Sequence, residues 1–462
     1  MMDLIRDSLY YVGVFYITYL ILFATFSFFA IIIGGYKLYV GDRILKYKNR
    51  LDHDDLPISV LVPAYNESVS IVKSIYSLLE LDYQFYEIIV VDDGSKDDTA
   101  QKLIDEFDMK LIERPIKRDL ECQPEKAVYE NIVNGVPITL ICKVNGGKGD
   151  ALNMGINASH YSYVLCMDAD SKLQKDSLKE IAAPVYEDDA IIAVGGMILV
   201  SQCVQLDDDG KTARYRLPSN VLVASQAVEY NRSFLASRIL MDTFNGNLII
   251  SGAFGLFKKS TLVAVGGYSV DNMGEDMELV MKLHGYCRNN NKKYQMSYQP
   301  SAICMTQVPT TLKDLIMQRR RWHIGLLQSM LKHRRVLLNL RFGLVSFFSY
   351  LYYLAYELLA PAIELFGIVT ILLAIYIDVL NLEYMIVFFI VYAIYGSIIS
   401  LSAFSQQIYT QKFKTRRLDI IKTALLCVIE FAFFRYVLLV VRLVGFIRYG
   451  KHKNKWGKIK RV

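Results

Sequence analysis

The chain has 462 residues, a formal net charge of +6 and 53% hydrophobic residues. Its length predicts two or more structural units. Its apolar content exceeds that of most soluble enzymes, and its composition excludes a disordered chain, a collagen-like fibre and a small disulfide scaffold. We therefore expect part of the chain to lie in lipid.

The first predicted element is a transmembrane anchor over residues 8–40. No charged residue occurs from Ser8 to Tyr36, and a helix of this length spans the roughly 30 Å of hydrocarbon in a bilayer. An uncleaved signal sequence is the alternative, but the apolar run is too long and no small-residue cleavage site follows it. The seven cysteines form no CxxC motif, which indicates reduced thiols that face a cytoplasm.

Residues 50–311 have ordinary charge density, and short apolar runs alternate with helical patterns. This alternation predicts a cytoplasmic α/β domain with a parallel, doubly wound sheet. Three predicted strands, in ISVLVPAYNE, YEIIVVDDGS and YSYVLCMDADS, end in polar residues. Because ligands bind at the carboxyl ends of the strands in such sheets, we expect the functional site there.

The remaining chain is predicted to meet the membrane again. Residues 312–341 mix basic and apolar residues, as in an amphipathic helix on a membrane surface. Within 342–448 about three spans can be drawn, at 349–377, 384–404 and 421–447, and a basic tail follows at 449–462. The basic loop at 411–417 and the tail both favour the cytoplasm. We therefore interpret the last apolar run as a hairpin or an interfacial element, with a single span as the alternative.

Paired carboxylates follow two of the predicted strands. Asp92 and Asp93 end one strand, and Asp168 and Asp170 end another. Two carboxylates separated by one residue can hold a divalent ion such as Mg²⁺ or Mn²⁺ against a pyrophosphate. Helix-capping or turn acids are the alternative for either motif taken alone.

The motifs VPAYNE, DDGS, NGGKGDALN, MDADS, GEDME and QRRRW occur in that order. With this set the chain resembles the membrane-embedded, processive family 2 glycosyltransferases, which are relatives of the cellulose, hyaluronan and poly-N-acetylglucosamine synthases. The resemblance covers residues 57–323 and, in outline, the flanking membrane helices, whereas the stretch 114–139 has no counterpart in the family pattern. It implies an A-type glycosyltransferase domain, Rossmann-like, flanked by transmembrane helices.

The resemblance also implies roles for single residues on the donor side. Ala64, Tyr65 and Glu67 would hold the uridine together with Asp92 or Asp93. The carboxylate of Asp92 or Asp93 would accept the uracil N–H. Lys148 would contact the diphosphate. Asp168 would face the ribose and the metal ion, and Asp170 would bind Mg²⁺ or Mn²⁺ directly.

On the acceptor side, the family pattern makes Asp276 of GEDME the catalytic base, next to Glu275. Gln318, Arg321 and Trp322 match QxxRW, and their spacing puts all three on one helix face. The tryptophan would offer a flat surface to the acceptor sugar. Gly252 would leave space for that sugar, with a tight strand bulge as the alternative interpretation.

Charged and aromatic side chains within the predicted spans suggest a path for a polymer. The four tyrosines of this group are Tyr350, Tyr352, Tyr353 and Tyr356, and its ionisable residues are Glu357, Glu364, Glu430, Arg435 and Arg442. Ionisable residues are costly in a membrane unless they face protein or water. A belt of tyrosines at the lipid headgroups is the competing interpretation.

These expectations combine into an inverting, processive synthase that uses a UDP-sugar, with UDP-N-acetylglucosamine favoured. The alternatives are UDP-glucose as the donor, a hyaluronan-like reaction and a non-processive transfer to a lipid acceptor. A transporter or receptor is disfavoured because it would give Asp168, Asp170 and Asp276 no function. The expected partners are the UDP-sugar, the growing polysaccharide and the bilayer, with a small accessory membrane subunit as a further candidate. A nucleic acid is excluded because the basic residues concentrate beside the predicted spans. We expect a multi-pass protein of the plasma membrane with a cytoplasmic catalytic domain.

Overall fold

The computed structural model describes residues 2–48, 56–206, 210, 212–411, 413–430 and 434–447. The predicted basic tail at 449–462 lies outside the described residues. All seven cysteines lie within them and are free.

A ten-stranded sheet forms the centre of the fold, in the order β3-β4-β5-β2-β1-β6-β11-β8-β12-β7, and β9 and β10 form a separate pair. The strands are β1 (Ile58–Ala64), β2 (Tyr86–Asp92), β3 (Lys110–Ile112), β4 (Glu125–Val133), β5 (Val136–Lys143), β6 (Tyr163–Met167), β7 (Lys172–Leu173), β8 (Ile191–Val200), β9 (Val204–Leu206), β10 (Thr212–Tyr215), β11 (Phe254–Lys258) and β12 (Gln295–Thr306).

The sheet is mixed, so the expectation of a wholly parallel sheet was wrong beyond its centre. β5, β2, β1 and β6 are parallel, but β11 runs antiparallel to both β6 and β8. β4 and β5 form a hairpin at the other side. Its turn is Asn134-Gly135, with positive φ at both residues, which matches the twist of an antiparallel pair. This hairpin accounts for most of the stretch 114–139.

Helices cover both faces of the sheet. In the α/β domain they are α2 (Ile71–Leu79), α3 (Thr99–Glu106), α4 (Lys148–Ala158), α5 (Ser177–Glu187), α6 (Val221–Arg232), α7 (Arg238–Asp242), α8 (Lys259–Ala264) and α9 (Glu275–Asn289). Neighbouring strand residues point to opposite faces. Val60 therefore packs in the core that contains α2 and α5, and Leu61 packs in the core that contains α4 and α9.

The other helices are α1 (Met2–Lys48), α10 (Leu312–Lys332), α11 (Ala360–Tyr376), α12 (Leu382–Gln411), α13 (Arg417–Ile429) and α14 (Arg435–Ile447). Among the residues that the structure describes, two helices are long and apolar enough to cross a membrane, Ile5–Gly41 and Leu382–Tyr409. Val345–Leu358 and Ala360–Tyr376 form a third candidate with a bend of 51°. Pro361 lies in the first turn of α11, where a proline is tolerated but prevents the preceding helix from continuing.

The apolar run 421–447 consists of two helices in the described residues, α13 and α14, on either side of residues 431–433. Leu438 of α14 packs against Leu315 of α10. α10 carries the whole QRRRW motif, and it is followed by short 3-10 turns at Arg334–Val336 and Leu340–Phe342.

Candidate active site

Strand pairing brings the polar motifs to one edge of the sheet. Ala64 pairs with Asp92 in the parallel ladder of β1 and β2, and Asp92 pairs with Cys142 of β5. β6 ends at Met167, which pairs with Phe254 at the start of antiparallel β11. The residues that follow the parallel strands and precede β11 therefore meet at the same edge.

A cavity of about 1650 Å³ opens at this edge. Its wall contains the predicted site residues Ala64, Tyr65, Glu67, Asp93, Lys148, Asp168, Asp170, Gly252, Glu275, Asp276, Gln318, Arg321 and Trp322. Asp92 is not part of this wall. Its buried carboxylate accepts the backbone N–H of Ser95 instead. Of the two acids considered for the uridine, only Asp93 faces the cavity.

Asp93 organises the glycine-rich turn that precedes α4. Its carboxylate accepts the N–H of Gly146 at 3.0 Å and of Gly147 at 2.7 Å. The buried Lys143 ammonium donates to the same carboxylate at 2.6 Å and also pairs with Asp150. Burial raises the pKa of Asp93, and these donors oppose that rise. Sequence reasoning missed Lys143, because its partners lie on other elements.

Lys148, the first residue of α4, is the cation at the centre of the site. Its Nζ lies 2.5 Å from Asp168 Oδ1 and 3.5 Å from Glu275 Oε1. Burial disfavours the charged form, but Asp168 and Glu275 outweigh it and hold the pKa of Lys148 above its ordinary value. Burial also raises the pKa of Glu275, while Lys148 lowers it. The two carboxylates therefore favour the charged form of this lysine at the cavity wall.

Asp276 lies beside this cation, at the start of α9. The N–H of Gly252 donates to Asp276 Oδ2 at 3.4 Å, and Lys148 Nζ donates to the Gly252 carbonyl at 3.5 Å. A Cβ added to Gly252 would lie 3.1 Å from Lys148 Nζ and 3.6 Å from the Asp276 Cβ. Gly252 thus links the two charged groups, and a side chain there would require the Lys148 ammonium to shift by a few tenths of an ångström.

The loop before Asp276 is held against α10 by a close backbone contact. A Cβ on Gly325 would lie 2.4 Å from the Gly274 nitrogen and 2.6 Å from its Cα. The N–H of Met273 donates to Gln328 Oε1 at 2.8 Å. Gly325 and Gln328 follow Trp322 on the same helix, so these contacts set the distance between QRRRW and the GEDME acids. Neither residue was predicted.

Glu278 of GEDME does not line the cavity. It is completely buried, and its carboxylate pairs with His333 and Lys332 at 3.2 Å and with Lys282 at 3.5 Å. Burial acts to raise its pKa, but His333 and the two lysines outweigh burial and lower it to about 2. Glu278 therefore connects α9 to the end of α10.

The QxxRW residues on α10 belong to the same cavity wall as the strand-end residues. Gln318, Arg321 and Trp322 all face the cavity, and 39% of the Trp322 side chain remains exposed. The spacing of the three residues on α10 produces this common face, as predicted. An exposed aromatic face on a cavity wall is suited to stacking on a sugar ring.

The same cavity extends between the helices that include the candidate membrane spans. Its wall there includes Tyr19, Phe23, Tyr352, Tyr353, Tyr356, Glu357, Glu364, Tyr392, Glu430, Arg435 and Arg442. The charges are paired: Arg435 contacts Glu364, Arg442 lies 3.7 Å from Glu357, and Arg232 bonds to Glu430. Tyr350 is an exception to the prediction, because it is buried and donates its hydroxyl to the Met330 carbonyl.

With this geometry established, the chain can be compared with known proteins. Residues 163–399 match the family described as glycosyl transferase family group 2, and residues 59–121 match glycosyl transferase family 2. The first match alone covers half of the chain. The protein belongs to glycosyltransferase family 2.

Curated relatives of this family 2 glycosyltransferase include a poly-beta-1,6-N-acetyl-D-glucosamine synthase of Staphylococcus aureus. It is 30% identical over 315 residues, which cover 67% of this chain and 65% of the relative. The synthase of the same name from Staphylococcus epidermidis is 31% identical over 271 residues, covering 58% of this chain and 54% of the relative. The chain thus spans between 54% and 65% of the length of these two relatives.

Among solved structures, a mannosyltransferase from Pyrobaculum calidifontis, in complex with GDP-Man and Mn²⁺, matches with a TM-score of 0.52. The match covers 85% of this chain and 98% of that one, at 18% sequence identity. It supports the fold class alone, an A-type glycosyltransferase fold with a central mixed sheet.

Proposed function

We propose that this family 2 glycosyltransferase polymerises N-acetylglucosamine from UDP-N-acetylglucosamine into a β-linked polysaccharide and passes the chain across the plasma membrane. The observation that carries the proposal is the single cavity shared by Asp93, Lys148 and Asp276 on one side and by the membrane helices on the other. The names of the curated relatives support the choice of sugar. The catalytic domain would face the cytoplasm of a multi-pass protein.

Asp276 would act as the general base. Its carboxylate takes the proton from the acceptor hydroxyl, and that oxygen attacks the anomeric carbon of the donor sugar. The bond from that carbon to the diphosphate oxygen breaks, and the UDP leaves with the electron pair, which inverts α to β. The Gly252 N–H keeps the Asp276 carboxylate oriented, and Asp276→Asn would abolish transfer.

Lys148 and the uridine residues would hold the donor. The ammonium of Lys148 offers charge-assisted hydrogen bonds to the diphosphate, and the backbone turn at Gly146 and Gly147 allows close approach. Tyr65 and Glu67, which follow β1, would flank the base together with Asp93. Asp168 would face the ribose and would exchange part of its contact with Lys148 for the metal ion.

Asp168 and Asp170 fit a hard divalent ion. Both residues line the cavity. The described residues contain no group of three or more His, Cys, Asp or Glu side chains that could hold a metal, so protein carboxylates alone would not complete the ion's shell. Mg²⁺ and Mn²⁺ sites of this kind use one or two carboxylates and complete their shell with substrate phosphates. When bound, the ion would neutralise charge on the departing UDP. Asp170→Asn should then raise the Mn²⁺ concentration needed for half-maximal UDP release.

The acceptor would leave through the membrane half of the cavity. Its tyrosines and paired charges offer stacking surfaces and hydrogen bonds to a sugar chain inside the membrane region. In detergent, Glu357→Ala and Glu364→Ala should shorten the polymer while initial UDP release changes less than threefold. Polymer of unchanged length from both variants would refute the path. A product with a single added sugar in the unaltered protein would favour the non-processive alternative.

A further inference from the structure

The ring of Trp322 is held by neighbouring side chains of the same cavity wall. The guanidinium carbon of Arg319 lies 4.6 Å from the centroid of the Trp322 ring. Both residues are on α10, three positions apart, so the contact lies on one side of the helix. The Tyr230 ring lies nearby, with its centroid 6.4 Å away and tilted by 34°.

The Arg319 guanidinium is fixed in turn by Glu229 of α6. Its two terminal nitrogens donate to the two oxygens of Glu229, each at 2.7 Å. Arg319 is buried, and a bidentate pair of this kind holds the planar guanidinium in one orientation. The carboxylate therefore sets the plane on which the indole ring rests, and a lysine could not reproduce that plane.

Trp322 lines the cavity and remains partly exposed, while Arg319 packs against its ring. An exposed tryptophan without such support rotates about two side-chain bonds and must be ordered when a ligand binds. A ring that is already held avoids this cost, which strengthens ligand binding.

We propose that Glu229 and Arg319 are positioning residues, which hold Trp322 ready to stack on the acceptor sugar and so determine how firmly the growing chain is retained. The proposal rests on the proposed function, since it takes the acceptor to be a β-linked sugar chain. Neither residue would contact the donor. Their loss should therefore weaken acceptor binding and shorten the product, and leave the KM for UDP-N-acetylglucosamine within twofold.

The test uses the full chain in detergent, with Trp456→Phe introduced so that Trp322 becomes the only tryptophan. A β-1,6-linked N-acetylglucosamine tetrasaccharide is titrated while Trp322 fluorescence is recorded. In this background, Glu229→Gln and Arg319→Lys should each shift the Trp322 emission to longer wavelength. Each should also raise the dissociation constant of the tetrasaccharide, read from the quenching of that emission, about tenfold. This is the order expected for the loss of a desolvated cation–π contact.

A charge swap separates positioning from simple stabilisation. Glu229→Arg combined with Arg319→Glu restores an ion pair between α6 and α10 but puts a carboxylate beside the indole. We expect the swap to recover the thermal stability lost in the single variants and to leave tetrasaccharide quenching and product length impaired. Recovery of all three by the swap would overturn the proposal, because the pair would then act only through stability.

Glu130→Gln is the matched control. It breaks the Arg114–Glu130 pair, which has a length of 2.6 Å and lies outside the cavity wall. We expect the Trp322 emission to stay unchanged in this variant. Unchanged quenching in Glu229→Gln and Arg319→Lys would overturn the proposal. If the tetrasaccharide did not alter the Trp322 emission of the Trp456→Phe protein, the proposed function would fail as well.

Discussion

The contact between Gly274 and Gly325 gives the sharpest prediction. In Gly325→Ala the new Cβ would lie 2.4 Å from the Gly274 nitrogen, whereas ordinary contacts begin at 3.4 Å. The difference, 3.4 − 2.4, requires α10 and the GEDME loop to separate by about 1 Å. Both sides are backbone, so no flexible side chain can absorb the shift.

A displacement of this size should act mainly on turnover. Because Trp322 lies on one side of the contact and Asp276 on the other, the proposed acceptor surface and the proposed base would be misaligned. Misplacement by about 1 Å can cost on the order of 100-fold, which corresponds to roughly 2.7 kcal/mol in the activation free energy. Overpacking would also lower the free energy of unfolding by about 1–3 kcal/mol. The donor KM should change little, because Lys148 and Asp93 lie on other elements.

The assay is initial UDP release at saturating donor, with thermal unfolding measured on the same preparation. Gly285→Ala is the matched control, since it also introduces alanine into a helix, and a Cβ there would have no neighbour within 4 Å. That variant should keep its turnover and gain about 0.5–1 kcal/mol of stability. If folded Gly325→Ala kept its kcat within threefold, the argument that this contact aligns the two motifs would be wrong.

Three further changes test the electrostatics of the site. Lys143→Met leaves the buried carboxylates of Asp93 and Asp150 without their cation, so it should cost about 3–5 kcal/mol of stability and raise the donor KM at least tenfold, as read from denaturation and donor titrations. Glu278 has a pKa of about 2 in the folded protein against 4.5 ordinarily, a difference of about 3 kcal/mol. The contribution of Glu278 to folding stability is therefore complete above pH 4.5 and is lost as the pH falls towards 2. The difference in melting temperature between the unaltered protein and Glu278→Gln should therefore narrow below pH 4.5. A difference that stayed constant with pH would refute the assignment. Gly252→Ala should displace Lys148 and lower kcat about tenfold in the UDP-release assay, and an unchanged kcat would count against the linking role of this glycine.

The strand ends and their acids could be predicted because the signal is local. A buried run such as YEIIVVDD predicts a strand, and parallel strands that end together bring their polar residues to one edge. The direction of β11 has no comparable signal. The apolar pattern of a short buried strand is the same for either strand direction. Only the pairing of β11 with β6 and β8 determines its direction. The Asn134-Gly135 hairpin did carry a recognisable turn signal, which the sequence interpretation did not use.

The supporting residues of the site were harder to foresee. Lys143 and Glu229 look like ordinary charged residues in sequence, and their partners are 50 and 90 positions away. Gly325 is an unremarkable helical glycine until a second backbone is seen against it. Tyr350 was predicted to line the path because it clusters with three other tyrosines, but it is buried and its hydroxyl donates to the Met330 carbonyl. Non-local pairing and helix rotation cannot be derived from spacing alone.

Donor consumption by the purified protein in detergent tests the central claim most directly. UDP-N-acetylglucosamine, UDP-glucose and UDP-glucuronate would be supplied separately and in pairs with Mg²⁺ or Mn²⁺. UDP release and product size would both be measured, with Asp276→Asn as the blank. The account predicts long polymer from UDP-N-acetylglucosamine alone and none from the variant. Polymer made only from another donor, or UDP release that yields a single added sugar, would contradict it.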